Sequence, residues 1–168
     1  MHTFQPYPIE SFEFNPFTKI GTEWGALSAT DGKNVNAMTI SWGGVGVMWG
    51  KNVFTAYVRE SRFTKTYLDQ SDVFSVTFFE DKYKGALKYL GAVSGKDEDK
   101  IKNARLTANH HKGVPFIDEG NLVFICRKLS ATQIKPEDFS VKAIDSRWYG
   151  DKDYHTMYIG EIMEILAR

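Results

Sequence analysis

The sequence predicts a mainly β domain, an antiparallel, Greek-key-like barrel with a few short inserted helices. Three observations point there. Strand-like runs outnumber helical ones and are rich in the Val, Phe, Thr, Tyr and Trp that suit a pleated surface. The helical stretches between them are short. The strands also do not alternate regularly with long helices, which argues against a doubly wound parallel sheet.

Residues 1–20 come first and hold Phe4, Tyr7, Phe12, Phe14 and Phe17 among prolines and polar residues. They read as an irregular arm that packs its aromatics on its own barrel or on a neighbouring subunit. Residues 21–168 read as one domain, without internal repeat, low-complexity tract or dividing linker. A strand over 24–30 precedes the Asp31-Gly32 turn signal. The next, over 35–42, alternates so that Asn36, Met38, Ile40 and Trp42 share a face. Gly43, Gly44 and Gly46 then interrupt the pattern. Further strands are predicted over 52–59, 72–79, 122–134 and 154–166. Short helices are predicted over 64–70, capped by Thr64 with Phe63, Tyr67 and Leu68 inward, and over 81–90, where Tyr83, Leu87 and Leu90 recur at helical spacing. A charged, exposed helix is predicted over 97–104.

Composition narrows the class. The chain has 168 residues, 42% of them hydrophobic, which is enough for a real core and excludes disorder as the default. Lys plus Arg number 21 and Asp plus Glu 21, a balance that argues against nucleic acid as a partner. The single cysteine, Cys126, excludes an intrachain disulfide and a Cys-based zinc site within one chain. It lies in an apolar run and reads as a buried, inert thiol in a reducing, cytoplasmic compartment. The N-terminal residues lack the apolar core of a signal peptide, and no stretch approaches the ~20 apolar residues of a membrane helix. A soluble protein with no membrane partner is expected.

Four stretches could carry chemistry. In 57–66, a strand ends and a helix starts beside Arg59, Ser61, Arg62 and Thr64. Guanidinium forks, hydroxyls and free N–H groups of a first helical turn together suit a phosphate; they equally suit an ordinary helix cap with surface arginines. In 36–46, small polar residues followed by glycines would let a flat heteroaromatic lie against backbone, or would form a tight hairpin with a bulge. Those glycines lack the dinucleotide-binding G-x-G-x-x-G spacing. Ser94, Gly95, Lys96, Asp97 and Lys100 form a turn and capped helix where the lysines could face an anion or simply be solvated. His155 opens the last strand and could donate a hydrogen bond to a cofactor or hydride donor, or be structural. His110-His111 lacks a third ligand nearby and reads as surface. No G-x-S-x-G elbow is present, and Cys126 has no evident base, so hard chemistry would need a borrowed cofactor.

At these same stretches the chain resembles the flavin reductase-like family, the FMN-binding split barrels, in its flavoredoxin-type branch. The matching segments are NAMTISWGGVGVMW (36–49), VFTAYVRESRFT (53–64), DVFSVTFF (72–79), SGKDEDK (94–100) and HTMYIGEI (155–162), in order and spanning roughly 20–165. Lys96 stands where arginine is common in that branch. The resemblance implies a homodimer with FMN at the barrel surface near the subunit boundary. It implies that Val58, Arg59, Ser61, Arg62 and Thr64 surround the phosphate, and that Met38, Thr39, Ile40, Ser41 and Trp42 with the 94–100 loop line the ring or ribityl chain. It places His155 near the nicotinamide of NADH or NADPH. Trp148 and Tyr149 have no counterpart in the pattern. The expected function is NAD(P)H-dependent flavin reduction and electron transfer. The alternatives are an FMN electron carrier serving a redox partner protein, or a non-catalytic small-ligand barrel.

Overall fold

The computed structural model describes all residues, 1–168. Ten strands form: β1 (Gln5–Tyr7), β2 (Gly25–Thr30), β3 (Val35–Ile40), β4 (Gly43–Met48), β5 (Lys51–Arg59), β6 (Val73–Phe78), β7 (Ala108–His111), β8 (Val114–Ile117), β9 (Leu122–Gln133) and β10 (His155–Ala167). The helices are α1 (Pro16–Thr18), α2 (Phe63–Gln70), α3 (Lys84–Ala92), α4 (Lys100–Asn103) and α5 (Lys142–Trp148). The main sheet runs β3-β2-β6-β9-β10-β5-β4, with β1 added beside β10. Every pairing is antiparallel, and the sheet curls into a split barrel.

The curl has local causes. β10 shows register shifts against β9 between Ile159 and Gly160 and between Ile162 and Glu164, and such bulges bend a strand and raise its twist. β10 is also long enough to serve two partners, β5 with its first half and β1 with its last residues. The β2–β3 hairpin is closed by Asp31, whose carboxylate accepts from the N–H groups of Lys33 (2.8 Å) and Asn34 (2.6 Å).

Alternation along the strands fills the barrel with Leu27, Phe54, Phe74, Phe78, Phe124 and Tyr158, all essentially sealed from solvent. The arm adds Phe12 and Phe14, whose rings meet Phe124 and Phe78 edge-on at 5.6 and 5.4 Å. Outside the barrel, Leu87 and Leu90 of α3 and Ile101 of α4 cover Ala26 and Ala37 of β2 and β3. The β7–β8 ribbon continues this cover, Ile117 joining the α3 cluster and Val114 and Phe116 packing on Val123 and Ile125 of β9. Cys126 is fully buried in the barrel, which pushes its thiol pKa far up and leaves it inert.

Most expected strands and the first two helices appear within a residue or three of their predicted limits. The differences are specific. The glycines after Trp42 do not end the sheet but form β4, hydrogen-bonded to β5 from Gly43↔Ala56 to Met48↔Lys51. The ribbon β7–β8 and helix α5 were not expected. The charged helix is shorter, reaching only from Lys100 to Asn103. Thr64 does not cap α2: Arg62 holds that position, and Thr64 is buried as the second residue of the helix. No helix is long and apolar enough to cross a membrane.

Candidate functional site

The ends of β3, β5 and α3, the start of α2, and the start of β10 converge on one cleft of 340 Å³. The strand register brings this about. His155 pairs with Arg59 across β10 and β5, so the imidazole and the guanidinium lie side by side. β3 delivers Met38 to Trp42 to the same cleft, and α2 delivers Arg62. A more apolar hollow of 590 Å³ adjoins it and shares Ser41, Trp42 and Tyr57 as a dividing wall. Its floor includes Gly43 and Gly44.

The cationic corner divides in two. Arg59 donates through Nη1 to the Asp153 carbonyl (2.8 Å) and through Nη2 to the Trp148 carbonyl (3.1 Å), with the Asp151 carboxylate 3.6 Å away. Ser61 donates its N–H to Asp153 Oδ1 at 3.0 Å and its hydroxyl to Asp153 Oδ2. These two residues therefore fasten the 148–153 loop. Arg62 turns the other way and donates to the Gly91 (2.9 Å) and Leu90 (3.4 Å) carbonyls at the end of α3. Lys100 donates to the carbonyls of Leu90 (3.0 Å) and Val93 (3.2 Å).

Neither Arg62 nor Lys100 forms a salt bridge. Burial lowers the pKa of both, and the neighbouring Arg62 charge helps bring Lys100 down to about 8. A buried lysine and a half-buried arginine that share one carbonyl and form no salt bridge with an acid make a donor set that suits a multiply charged anion such as a phosphate.

Asn36 ties this corner together. Its amide donates to the Thr64 hydroxyl at 2.9 Å. It also lies against Gly95 so closely that an ideal Cβ there would fall 2.2 Å from Asn36 Oδ1. Only glycine fits that position without moving the amide. Thr64 is thus spent on Asn36 and is 1% exposed.

The remaining expected residues are placed as follows. Met38 and Ile40 are buried yet touch the cleft, while Thr39, Ser41 and Trp42 form its accessible wall. The Thr39 hydroxyl donates to the Leu87 carbonyl, pinning β3 to α3. The side chain of Val58 points into the barrel core and away from the cleft. Ser94 accepts from the Lys96 N–H (3.2 Å), and Lys96 and Asp97 are exposed. Gly95, Lys96, Asp97 and Lys100 line a third hollow of 770 Å³ together with Asn36 and Phe63, separate from the cleft.

Tyr57 and Gly91 were not anticipated at the site, and Trp148 and Tyr149, which have no counterpart in the family pattern, were open only as candidates to stack on the ring. Tyr57 was legible in principle, since it lies two residues before Arg59 on the same strand face. Nothing local marks the others. Trp148 meets Trp42 edge-on at 5.2 Å because α5 folds back over the cleft. The Tyr149 hydroxyl lies 2.7 Å from His155 Nδ1.

Comparison with known proteins bears on this arrangement. The family model described as flavin reductase-like domain matches residues 19–168. No curated protein matches the chain. Among solved structures, the flavoredoxin of Methanosarcina acetivorans is 20% identical with a TM-score of 0.67, over 87% of this chain and 68% of that one. The flavoredoxin of Desulfovibrio vulgaris (Miyazaki F) is 21% identical with a TM-score of 0.67, over 88% and 70%. The NADH:FAD oxidoreductase of Streptomyces globisporus, solved with NAD and FAD fragments, is 15% identical with a TM-score of 0.65, over 88% and 75%. These likenesses show a shared fold, and the family match extends over nearly the whole chain. With its split barrel and a match running from the end of the arm to the last residue, the chain belongs to the flavin reductase-like family.

Proposed function

We propose that the chain binds FMN and works as an NAD(P)H-dependent flavin oxidoreductase. The observation that carries this reading is Arg62, without an acid partner at one side of a cleft walled by Trp42 and His155, and joined through the Leu90 carbonyl to Lys100 of the neighbouring hollow. Arg62 and Lys100 would hold the phosphate, with Ser94 to Asp97 closing that side and Arg59, Ser61 and Thr64 supporting it through the loop and through Asn36. Met38 to Trp42 would offer backbone and the indole face to the ring. His155 would offer a hydrogen bond to the flavin ring on the side where the nicotinamide approaches. Bound flavin would supply the redox chemistry, accepting a hydride from NADH or NADPH and passing electrons on. The side chains need only bind, orient and exclude water, because the cleft holds no group placed as a general acid or base at neutral pH.

A homodimer is part of this reading. β4 is the open edge of the sheet, and Val47 and Trp49 at its tip are exposed at 76% and 58%. A cytoplasmic, soluble setting accords with the lone buried thiol.

The experiment is an absorption spectrum of the purified protein with added FMN, then with NADH or NADPH under anaerobic conditions. Flavin uptake followed by prompt bleaching is expected. Uptake without bleaching by either nucleotide identifies an electron carrier fed by a partner protein instead. No uptake overturns the flavin reading altogether.

A further inference from the structure

Tyr149 sets the chemical form of the one histidine in the cleft. His155 Nδ1 lies 2.7 Å from the Tyr149 hydroxyl, and the two residues are 8% and 4% exposed. Tyr149 is itself immobilised. Its ring stacks on Tyr154 at 4.8 Å, and the Tyr154 hydroxyl donates to Asp145 at 2.6 Å. Its N–H donates to the Asp145 carbonyl at 2.9 Å. On the other side, Trp42 packs on the imidazole with centroids 4.9 Å apart. Nε2 has no hydrogen-bond partner in the chain, and the ring borders the cleft.

A phenol and a neutral imidazole can share a proton in two ways. Either the hydroxyl donates to Nδ1, leaving the second proton on Nε2, or Nδ1–H donates to the phenol oxygen, leaving Nε2 bare. The phenol is the stronger acid and the imidazole nitrogen the stronger base, so the first arrangement wins. The doubly protonated form is opposed by burial and by Arg59 on β5, with Asp153 the only facing group that favours it; together they bring the His155 pKa to about 4. Burial also raises the Tyr149 phenol pKa, against the opposing pull of Arg59 and of the His155 backbone N–H, so the phenol stays protonated.

We infer that Tyr149 is a positioning residue that locks His155 as its neutral Nε2–H tautomer, so that the cleft presents a fixed hydrogen-bond donor to an acceptor atom on the ring of its ligand. The identity of that ligand rests on the flavin reading; the tautomer does not.

The test is histidine-selective ¹⁵N labelling with long-range ¹H–¹⁵N correlation spectra, His155→Gln assigning the signal among the four histidines. In the ligand-free protein at about pH 5.5–8, the range where ordinary histidines titrate, His155 is expected as the Nε2–H tautomer alone. In Tyr149→Phe it is expected to populate both tautomers. Added FMN should move the Nε2 resonance and leave Nδ1 nearly still. Tyr149→Phe should weaken FMN and riboflavin alike by about three- to tenfold, the size of one neutral hydrogen bond. An Nδ1–H tautomer in the unaltered protein, or an unchanged tautomer population in Tyr149→Phe, overturns the inference. Bound FMN that leaves Nε2 unmoved overturns it as well. A protein that takes up no flavin sinks the proposed function instead, and the ligand-free spectra still decide the tautomer.

Discussion

Arg62 and Lys100 donate to the same oxygen, the Leu90 carbonyl, at 3.4 and 3.0 Å. Two cations converge there because the last carbonyls of α3 are free and carry the negative end of the helix dipole. Those partial charges satisfy the donors but do not neutralise two full positive charges. On the proposed reading, the phosphate of the flavin would supply the missing negative charge at this corner.

Arg62→Ala is therefore expected to weaken FMN binding by roughly 10- to 100-fold, the equivalent of one charge-assisted hydrogen bond of about 1.5–3 kcal/mol. Riboflavin, which has no phosphate, should lose little. Arg59→Ala should behave differently. Its hydrogen bonds go to the 148–153 loop, so its loss should affect FMN and riboflavin to similar, smaller extents. Fluorescence titration of both ligands checks the contrast. Equal losses for the two ligands in Arg62→Ala would show that Arg62 merely anchors α3.

Lys100 predicts two opposite pH trends. Its pKa in the folded chain is about 8, below the ordinary lysine value of 10.5. Between those values the unfolded chain binds more protons, so the stability of the ligand-free protein should rise with pH from about 8 upward. FMN affinity should fall over the same window, because the phosphate favours the charged lysine; riboflavin affinity should stay level. Lys100→Ala should weaken FMN and flatten its pH dependence. A flat FMN profile in the unaltered protein would remove Lys100 from the phosphate side.

His155 makes the corresponding prediction in acid. Its folded pKa, about 4, lies below the ordinary histidine value of 6.5. The unfolded chain binds the extra proton as pH falls through 6.5, so stability is lost between 6.5 and 4. The shift corresponds to something on the order of 3 kcal/mol at its full extent. Urea midpoints at pH 7, 6, 5 and 4.5 should decline more steeply for the unaltered protein than for His155→Gln. Parallel curves would count against a buried neutral imidazole.

The barrel was legible because its strands obey local rules. β5 and β6 carry β-branched and aromatic residues at period two, and Asp31-Gly32 marks the hairpin between β2 and β3. β4 was not legible, since GGVGVM has little strand propensity and owes its structure to the β5 ladder. The proline in β8 hid the ribbon in a similar way; it is tolerated in a two-stranded edge arrangement. At the site, residue types near a strand end indicated cations and a histidine. Their partners could not be read, because Arg62 reaches Gly91, Lys100 reaches Leu90 and Arg59 reaches Trp148 only through the tertiary fold. The expectation that Arg59 to Thr64 act as one corner failed to see that adjacent residues at a strand–helix junction point in different directions.

Gly43 is where the barrel and the cleft depend on the same atom. β3 passes into β4 through Ser41 and Trp42 alone, so Gly43 must start the new strand while Trp42 stays in the cleft wall. Its φ is +155°, and an ideal Cβ would lie 2.7 Å from the Thr55 carbonyl oxygen. That oxygen belongs to β5 and cannot retreat without disturbing the ladder. Gly43→Ala should therefore cost about 1–3 kcal/mol and displace Trp42, weakening FMN and riboflavin together. Gly44 is the internal control: a Cβ there meets nothing within 4 Å, so Gly44→Ala should change stability by less than about 0.5 kcal/mol. Urea denaturation followed by tryptophan fluorescence measures both variants. Equal midpoints for the two would mean that the close approach to Thr55 does not constrain the turn.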